Sequence, residues 1–245
     1  MRILVCISSV PDTTARINFT DDNKSLITQG IQFIINPYDE MALTRALELT
    51  EKSGGSVTVI HVGDSTSEPV IRKALAIGAA DAVRVNAPAR DGLFVARQIA
   101  HYCTAHSFDL ILCGRESIDY NSAQVPAMVA ELLYIPSICF CKKLEIQGDR
   151  IIAEREIEGG KEIVECPLPA VVSASEGMAE PRIPNMRGIM SARTKPLTVV
   201  EAVDVPQLTE IIRYEKPKPR SQVKLIPSDK IEQLVDLLHS EAKVI

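Results

Sequence analysis

Asp109-Leu110-Ile111-Leu112-Cys113-Gly114-Arg115-Glu116-Ser117-Ile118-Asp119-Tyr120-Asn121-Ser122-Ala123-Gln124-Val125 is the stretch on which the fold turns. It opens with an unbroken apolar run that lacks the polar alternation of a half-exposed strand. Such strands are expected where helices cover both faces of a sheet. The polar loop then enters an apolar segment, roughly Ser122–Leu133, that reads as a helix with Asn121 and Ser122 available as caps. Strand, loop and helix in that order form part of a parallel crossover unit.

Upstream, the same grammar repeats. Arg2–Ile7, Ser56–Val62 and the short β-branched Ala82–Val85 are further continuous strands. Helices are legible between them. One begins at Pro37, with Asn36 before it and Asp39 and Glu40 in its first turn, and stops at Gly54-Gly55. Val70–Ile77 and Gly92–Ala105 follow. The alternation predicts an α/β fold with a doubly wound, mainly parallel, Rossmann-like sheet. After Ile135-Pro136 the pattern changes. Ile138–Ile146, Arg150–Glu156, Glu162–Cys166 and Ala170–Ala174 read as strands with short or glycine-rich turns, hence as antiparallel additions to the sheet.

Residues 1–195 are expected to form one α/β domain that includes a methionine-rich loop at 175–195. Residues 196–245 are proline-punctuated and read as an extended C-terminal arm. A helix near Asp229–Ser240 ends it, with Ser228 as N-cap and Ile231, Leu234, Leu237 and Leu238 on its apolar face. The arm has too little periodic apolar content for its own core, so it is expected to pack on a partner subunit.

Bulk properties narrow the function. The chain has 245 residues, 46% hydrophobic and 24% charged, which is the balance of a globular protein. A net charge of -5 gives no reason to expect nucleic acid. No apolar run reaches the ~20 residues of a membrane span, and Met1–Asp12 reads as a first strand, not a secretory leader. The expected location is cytoplasmic, without stable membrane insertion. Six cysteines without a C-x-x-C motif, and four scattered histidines, favour buried inert thiols over a metal site.

The chemistry concentrates at strand-to-helix corners. In open α/β sheets ligands sit beyond the carboxyl ends of the strands, and a helix N-terminus offers free N–H groups to a phosphate. The 114–125 loop fits both rules, although an ordinary β–α turn fits its residues equally well. Asn36-Pro37-Tyr38-Asp39 lies at another such corner and read alone is a helix cap. Arg155-Glu156-Ile157-Glu158-Gly159-Gly160 reads alone as a hairpin. Three of the six methionines, Met178, Met186 and Met190, fall in the loop that also carries Glu180-Pro181-Arg182. Methionine is over-used on adaptable binding surfaces. No G-x-G-x-x-G follows a strand, no P-loop lysine motif occurs, and no nucleophile–base set has a defensible spacing. A nucleotide site without catalytic groups points to binding, not turnover.

Taken together, the segments resemble the electron transfer flavoprotein beta subunit over nearly the whole chain. The matching order is Val10-Pro11-Asp12, Ile35-Asn36-Pro37-Tyr38-Asp39-Glu40, Ala76-Ile77-Gly78-Ala79-Ala80-Asp81, Gly114 through Gln124, the signature-like Arg155-Glu156-Ile157-Glu158-Gly159-Gly160, Leu168-Pro169-Ala170-Val171-Val172 and Glu180-Pro181-Arg182. The resemblance implies a non-enzymatic electron carrier: a heterodimer with an alpha subunit that holds most of a shared FAD, serving flavin dehydrogenases. In the beta subunit it implies an adenine nucleotide, AMP in the ordinary shuttles or a second FAD in electron-bifurcating relatives. It places Cys6, Asn36, Pro37, Tyr38, Asp39, Val62, Gly114, Arg115, Ile118, Asp119, Asn121, Ser122, Ala123, Gln124 and Val125 around that nucleotide. Arg155 and Glu156 would steer the flavin domain, and Met178, with Glu180, Pro181 and Arg182, would dock partner dehydrogenases. Ser8-Ser9 stand where the family usually has a lysine, while Ala123-Gln124-Val125 is closer to the bifurcating group. The alternative reading is a stand-alone adenine-nucleotide sensor of the universal-stress-protein kind.

Overall fold

In the computed structural model, residues 1–219 and 223–245 are described. The strands are β1 (Arg2–Cys6), β2 (Ser9–Pro11), β3 (Phe33–Ile35), β4 (Ser56–Val62), β5 (Asp81–Asn86), β6 (Leu110–Gly114), β7 (Ser137–Gln147), β8 (Arg150–Ile157), β9 (Gly160–Pro167), β10 (Ala170–Ala174) and β11 (Leu197–Glu201). The helices are α1 (Pro37–Ser53), α2 (Glu68–Ile77), α3 (Gly92–Ala105), α4 (Val125–Leu133), α5 (Met186–Ala192) and α6 (Ile231–Leu237).

Nine strands form one sheet in the order β11-β5-β4-β1-β6-β10-β7-β8-β9. Every neighbouring pair from β11 to β7 is parallel, and β8 is antiparallel to both β7 and β9. The mainly parallel, Rossmann-like sheet is therefore as expected, but two strands assigned to its antiparallel part are not. Both β7, along its first half, and β10 run parallel, and β10 is inserted between β6 and β7. All five β10 residues are buried, which suits an interior parallel strand. At Phe140, with φ 60°, the β7 backbone takes a left-handed conformation where its register slips and the strand passes on to pair with β8.

Alternation along the strands divides the core in two. Ile3, Val5, Val57, Val59 and Leu112 face α1 and α2, while Leu4, Cys6, Ile60, Ile111 and Cys113 face α3 and α4. Local chemistry explains the helix limits. Pro37 opens α1 and Gly54, at φ 78°, ends it. Asp91 caps α3 by accepting from the Phe94 N–H at 2.7 Å. The helix α4 starts later than expected, at Val125, so neither Asn121 nor Ser122 caps it, and Gln124 stands before it without a side-chain cap bond.

Two compact units emerge. Met1–Asn18 with Ile27–Glu210 makes the first, and Phe19–Leu26 with Ile211–Ile245 makes the second. The sheet of the first continues past the expected boundary at residue 195, because β11 pairs with β5. Gln98 of α3 then holds the following segment with a two-way amide clasp: it donates to the Val203 carbonyl at 2.8 Å and accepts from the Val203 N–H at 2.9 Å. In the second unit the Phe19 and Tyr214 rings stack at 4.7 Å. Its helix begins at Ile231 behind Lys230, not Ser228, and continues as a π-type turn over Leu238–Ala242. Residues 220–222 of the expected arm lie outside the described residues.

Candidate nucleotide site at the carboxyl edge of the sheet

The carboxyl ends of β1, β4 and β6 meet the start of α1 and the loop that leads from β6 to α4. At this edge Asn36 is fully buried, and its side chain does not cap α1. Its Nδ2 donates to the Glu116 carbonyl at 2.8 Å and its Oδ1 accepts from the Ile118 N–H at 3.2 Å. One turn on, both oxygens of the buried Asp39 carboxyl are also taken by main chain. Oδ2 accepts from the Ser8 N–H at 2.7 Å, just past β1, and Oδ1 accepts from the Gly114 N–H at 2.8 Å, at the end of β6. Burial pushes this carboxyl up to about 7, against the pull of those N–H groups. A Cβ at Gly114 would overlap Asp39 Oδ1 and lie 2.7 Å from the Tyr38 Cβ. Only glycine permits this approach.

Beyond Gly114 the loop is anchored and then opens. The Arg115 N–H donates to the Ala174 carbonyl at 2.9 Å. Its guanidinium lies 5.3 Å from the Tyr38 ring centroid and 5.2 Å from that of Phe140, with Glu116 at 3.2 Å. The Asn121 N–H donates to the Ser117 carbonyl at 2.8 Å. Asn121 and Ala123 are left-handed, at φ 52° and 54°. Alternation of left- and right-handed residues turns successive N–H groups to one side. Among the described residues no oxygen accepts from the backbone N–H groups of Ser122, Ala123, Gln124 or Val125. These donors run straight into the first turn of α4. Asp119, Asn121, Ser122 and Gln124 are exposed there.

The structure brings together most of the residues expected around a nucleotide. Cys6 and Val62 are buried at the ends of β1 and β4. The Cys6 thiol is pushed up by its bond to Cys113 and by burial, so it stays neutral. Among the described residues no cluster of three metal-ligating groups occurs, and all six cysteines are free. Arg155 and Glu156 lie on β8 beside the Phe140 bulge, Arg155 opposite Cys141. The Arg155 Nε is 2.5 Å from Glu162, and Glu156 is 2.9 Å from Lys142.

Met178 does not stand where docking needs it. It is 6% exposed and packs in the core with Cys141, Leu144 and Ala174. The docking expected of Met178 is at odds with this burial: the Met178 N–H donates to the Ser175 carbonyl at 3.2 Å in a turn that folds the side chain inward. Arg182 is held to Glu51 of α1 by paired bonds of 2.6 and 2.9 Å. The exposed apolar residues of the loop are Ile183, Met186, Ile189 and Met190. Three of these are on α5, whose seven residues are too few to show a helical period in the sequence. Asn185 caps it by accepting from the Gly188 N–H at 2.8 Å. A cavity of about 370 Å³, bordered by Gly78, Arg182, Asn185, Arg187 and Lys195, adjoins it. Also unforeseen is His61, buried on β4 with Nδ1 bonded to the Ile7 carbonyl at 2.8 Å and its pKa lowered by burial.

Comparison with known proteins adds independent findings. The family described as "Electron transfer flavoprotein domain" matches residues 24–205. The chain is 39% identical to the electron transfer flavoprotein subunit beta of Bacillus subtilis (strain 168), over 260 aligned positions and the full length of both chains. It is 39% identical to the subunit beta of Thermoanaerobacterium thermosaccharolyticum over 198 positions, covering 80% of this chain and 76% of the relative. With that of Mus musculus the identity is 33% over 231 positions, covering 90% and 91%.

Proposed function

Because the chain belongs to the electron transfer flavoprotein family, as a relative of its beta subunits, we propose that it pairs with an alpha subunit to carry electrons from flavin dehydrogenases to a further redox partner, and that its own edge site holds an adenine nucleotide, AMP or a second FAD. The observation that carries the nucleotide assignment is the run of unclaimed N–H groups at residues 122–125, opening at the start of α4 and at the carboxyl edge of a parallel sheet. A phosphate is the ligand such an array suits. Gly114 lets the main chain at the end of β6 lie close against Tyr38 and Asp39 of α1.

The shared FAD would supply the redox chemistry, and the protein its position and electrostatics. On this reading Arg155 and Glu156, at the end of β8 next to Phe140 and Arg115, meet the flavin-bearing domain of the alpha subunit. Docking of dehydrogenases passes from Met178 to the exposed face of α5, Met186, Ile189 and Met190, with Ile183 before it. Glu180, Pro181 and Arg182 shape the approach to that helix. The arm from Ile211 onward, whose helix exposes Ile231, Leu234 and Val235, packs on the alpha subunit. The carrier works in the cytoplasm; among the described residues no helix is long and apolar enough to cross a membrane.

Co-expression with the cognate alpha subunit tests this. A yellow complex of one copy each is expected in gel filtration. A chain that never joins the alpha subunit, or a complex that carries no flavin, overturns the proposal.

A further inference from the structure

We infer that Asn36 and Asp39 are positioning residues that hold the 114–118 strand end and loop in place, so that the N–H array downstream can take a phosphate, and are not themselves ligands of the nucleotide. This rests on the nucleotide reading of the site. The hydrogen-bond geometry carries it. Asp39 uses one oxygen on Ser8 and the other on Gly114, thereby tying the ends of β1 and β6 to the first turn of α1. Asn36 donates one amide N–H to Glu116 and accepts from Ile118 with its oxygen, one turn of loop further along. The two side chains thus make four contacts with the main chain of other segments, and both are almost wholly buried. What keeps them from a ligand is burial, since Asn36 is 0% and Asp39 4% exposed.

The main chain at these corners reinforces the clasp. The Asn36 N–H donates to the Ser8 carbonyl at 3.0 Å, and the Asn36 carbonyl accepts from the Asp39 and Glu40 N–H groups at 2.9 and 3.0 Å. Neighbouring charges are engaged elsewhere: Glu40 pairs with Lys73, and Arg115 with Glu116. The sequence N-P-Y-D therefore works as a buckle. Pro37 fixes the entry angle, Asp39 reaches the ends of β1 and β6, and Asn36, three residues before it, reaches the loop beyond β6.

A ligand role and a positioning role differ in what a substitution takes away. Loss of a direct contact to base or ribose weakens adenosine and AMP alike. Loss of the buckle blurs the N–H array and weakens only the ligand with a phosphate. The experiment uses the alpha–beta complex stripped of nucleotide, titrated with AMP and with adenosine by calorimetry at pH 8. Wild type is expected to prefer AMP strongly. Asp39→Asn and Asn36→Ala are each expected to lose about tenfold in AMP affinity, the worth of roughly one hydrogen bond, with adenosine changed less than about threefold. Amide hydrogen exchange of the unliganded variants should quicken at the bonded amides of 114–121 and stay unchanged in β4 and α3, which separates a local effect from general unfolding. Equal losses for both ligands, or exchange in 114–121 that stays at the wild-type rate, overturn the inference. A wild-type complex that binds neither ligand refutes instead the nucleotide reading on which it stands.

Discussion

A methyl group on Gly114 would collide with the Asp39 carboxylate and crowd the Asp39 N–H at 2.9 Å. Gly114→Ala is accordingly expected to cost about 1–3 kcal/mol, as overpacking against fixed backbone does, measurable by urea unfolding. Asp39 itself makes stability depend on pH in a definite sense. Its pKa rises from 3.8 to about 7 on folding, because burial disfavours the charge. A raised carboxyl contributes most below pH 3.8, and the contribution is lost as pH climbs through about 7. Asp39→Asn should therefore gain on the wild type in unfolding free energy between pH 5 and pH 8. A difference that is flat or of opposite slope would contradict the burial cost. From the sequence, Asn36, Asp39 and Gly114 were recognisable as members of one site. Their division of labour was not, because Asn36 before Pro37 looks like an ordinary cap, and its bonds run to residues about eighty positions away.

Helix α5 is held by contacts that no local pattern announces. Gly188 lies so close to the Ala76 carbonyl that a side chain there would overlap it. Arg72 of α2 donates to the Ala192 and Lys195 carbonyls at 2.9 and 2.7 Å, closing the end of α5. Lys195 in turn donates to the Leu75 and Ala79 carbonyls at 2.8 and 2.6 Å, closing the end of α2. The two helix ends cap one another, so α5 is presented rigidly and Met186 and Met190 remain outside. Met178→Ala is expected to lower stability by about 2–5 kcal/mol, as emptied core sites do. Met186→Ala should cost less than about 0.5 kcal/mol yet slow electron transfer with dehydrogenases in stopped-flow measurements. Transfer unaffected by Met186→Ala would remove α5 from docking. Methionine enrichment was visible in sequence, but which methionine turns inward depends on the Ser175–Met178 turn and the nearby β7 bulge, and composition is blind to both.

Across the whole molecule the alternation of apolar strands and amphipathic helices made the doubly wound sheet legible up to α4. Beyond it the hairpins at Gly148 and Gly159 were correctly placed by their turn residues, while the insertion of β10 between β6 and β7 was not. Pairing partners that far apart leave no local trace, and a five-residue buried strand carries no sign of its direction. The proline-punctuated stretch from residue 196 reads as an arm, but Leu197–Glu201 joins the sheet and the chain to Glu210 belongs to the first unit; the apolar Ile231, Leu234 and Val235 of the second unit are exposed. Ending the chain at Glu210 is expected to abolish stable association with the alpha subunit in sedimentation velocity runs; full-strength assembly of the truncated chain would assign the arm another role.

The account depends most on what the carboxyl edge holds. Denaturing the purified alpha–beta complex and quantifying the released nucleotides by chromatography asks this directly. The expected yield is the shared FAD plus one further adenine nucleotide per complex, either AMP or a second FAD, with that second nucleotide depleted when Ser122 and Gln124 are replaced by bulky residues. A complex that releases one FAD and nothing more, or keeps both nucleotides despite those replacements, would contradict the nucleotide site.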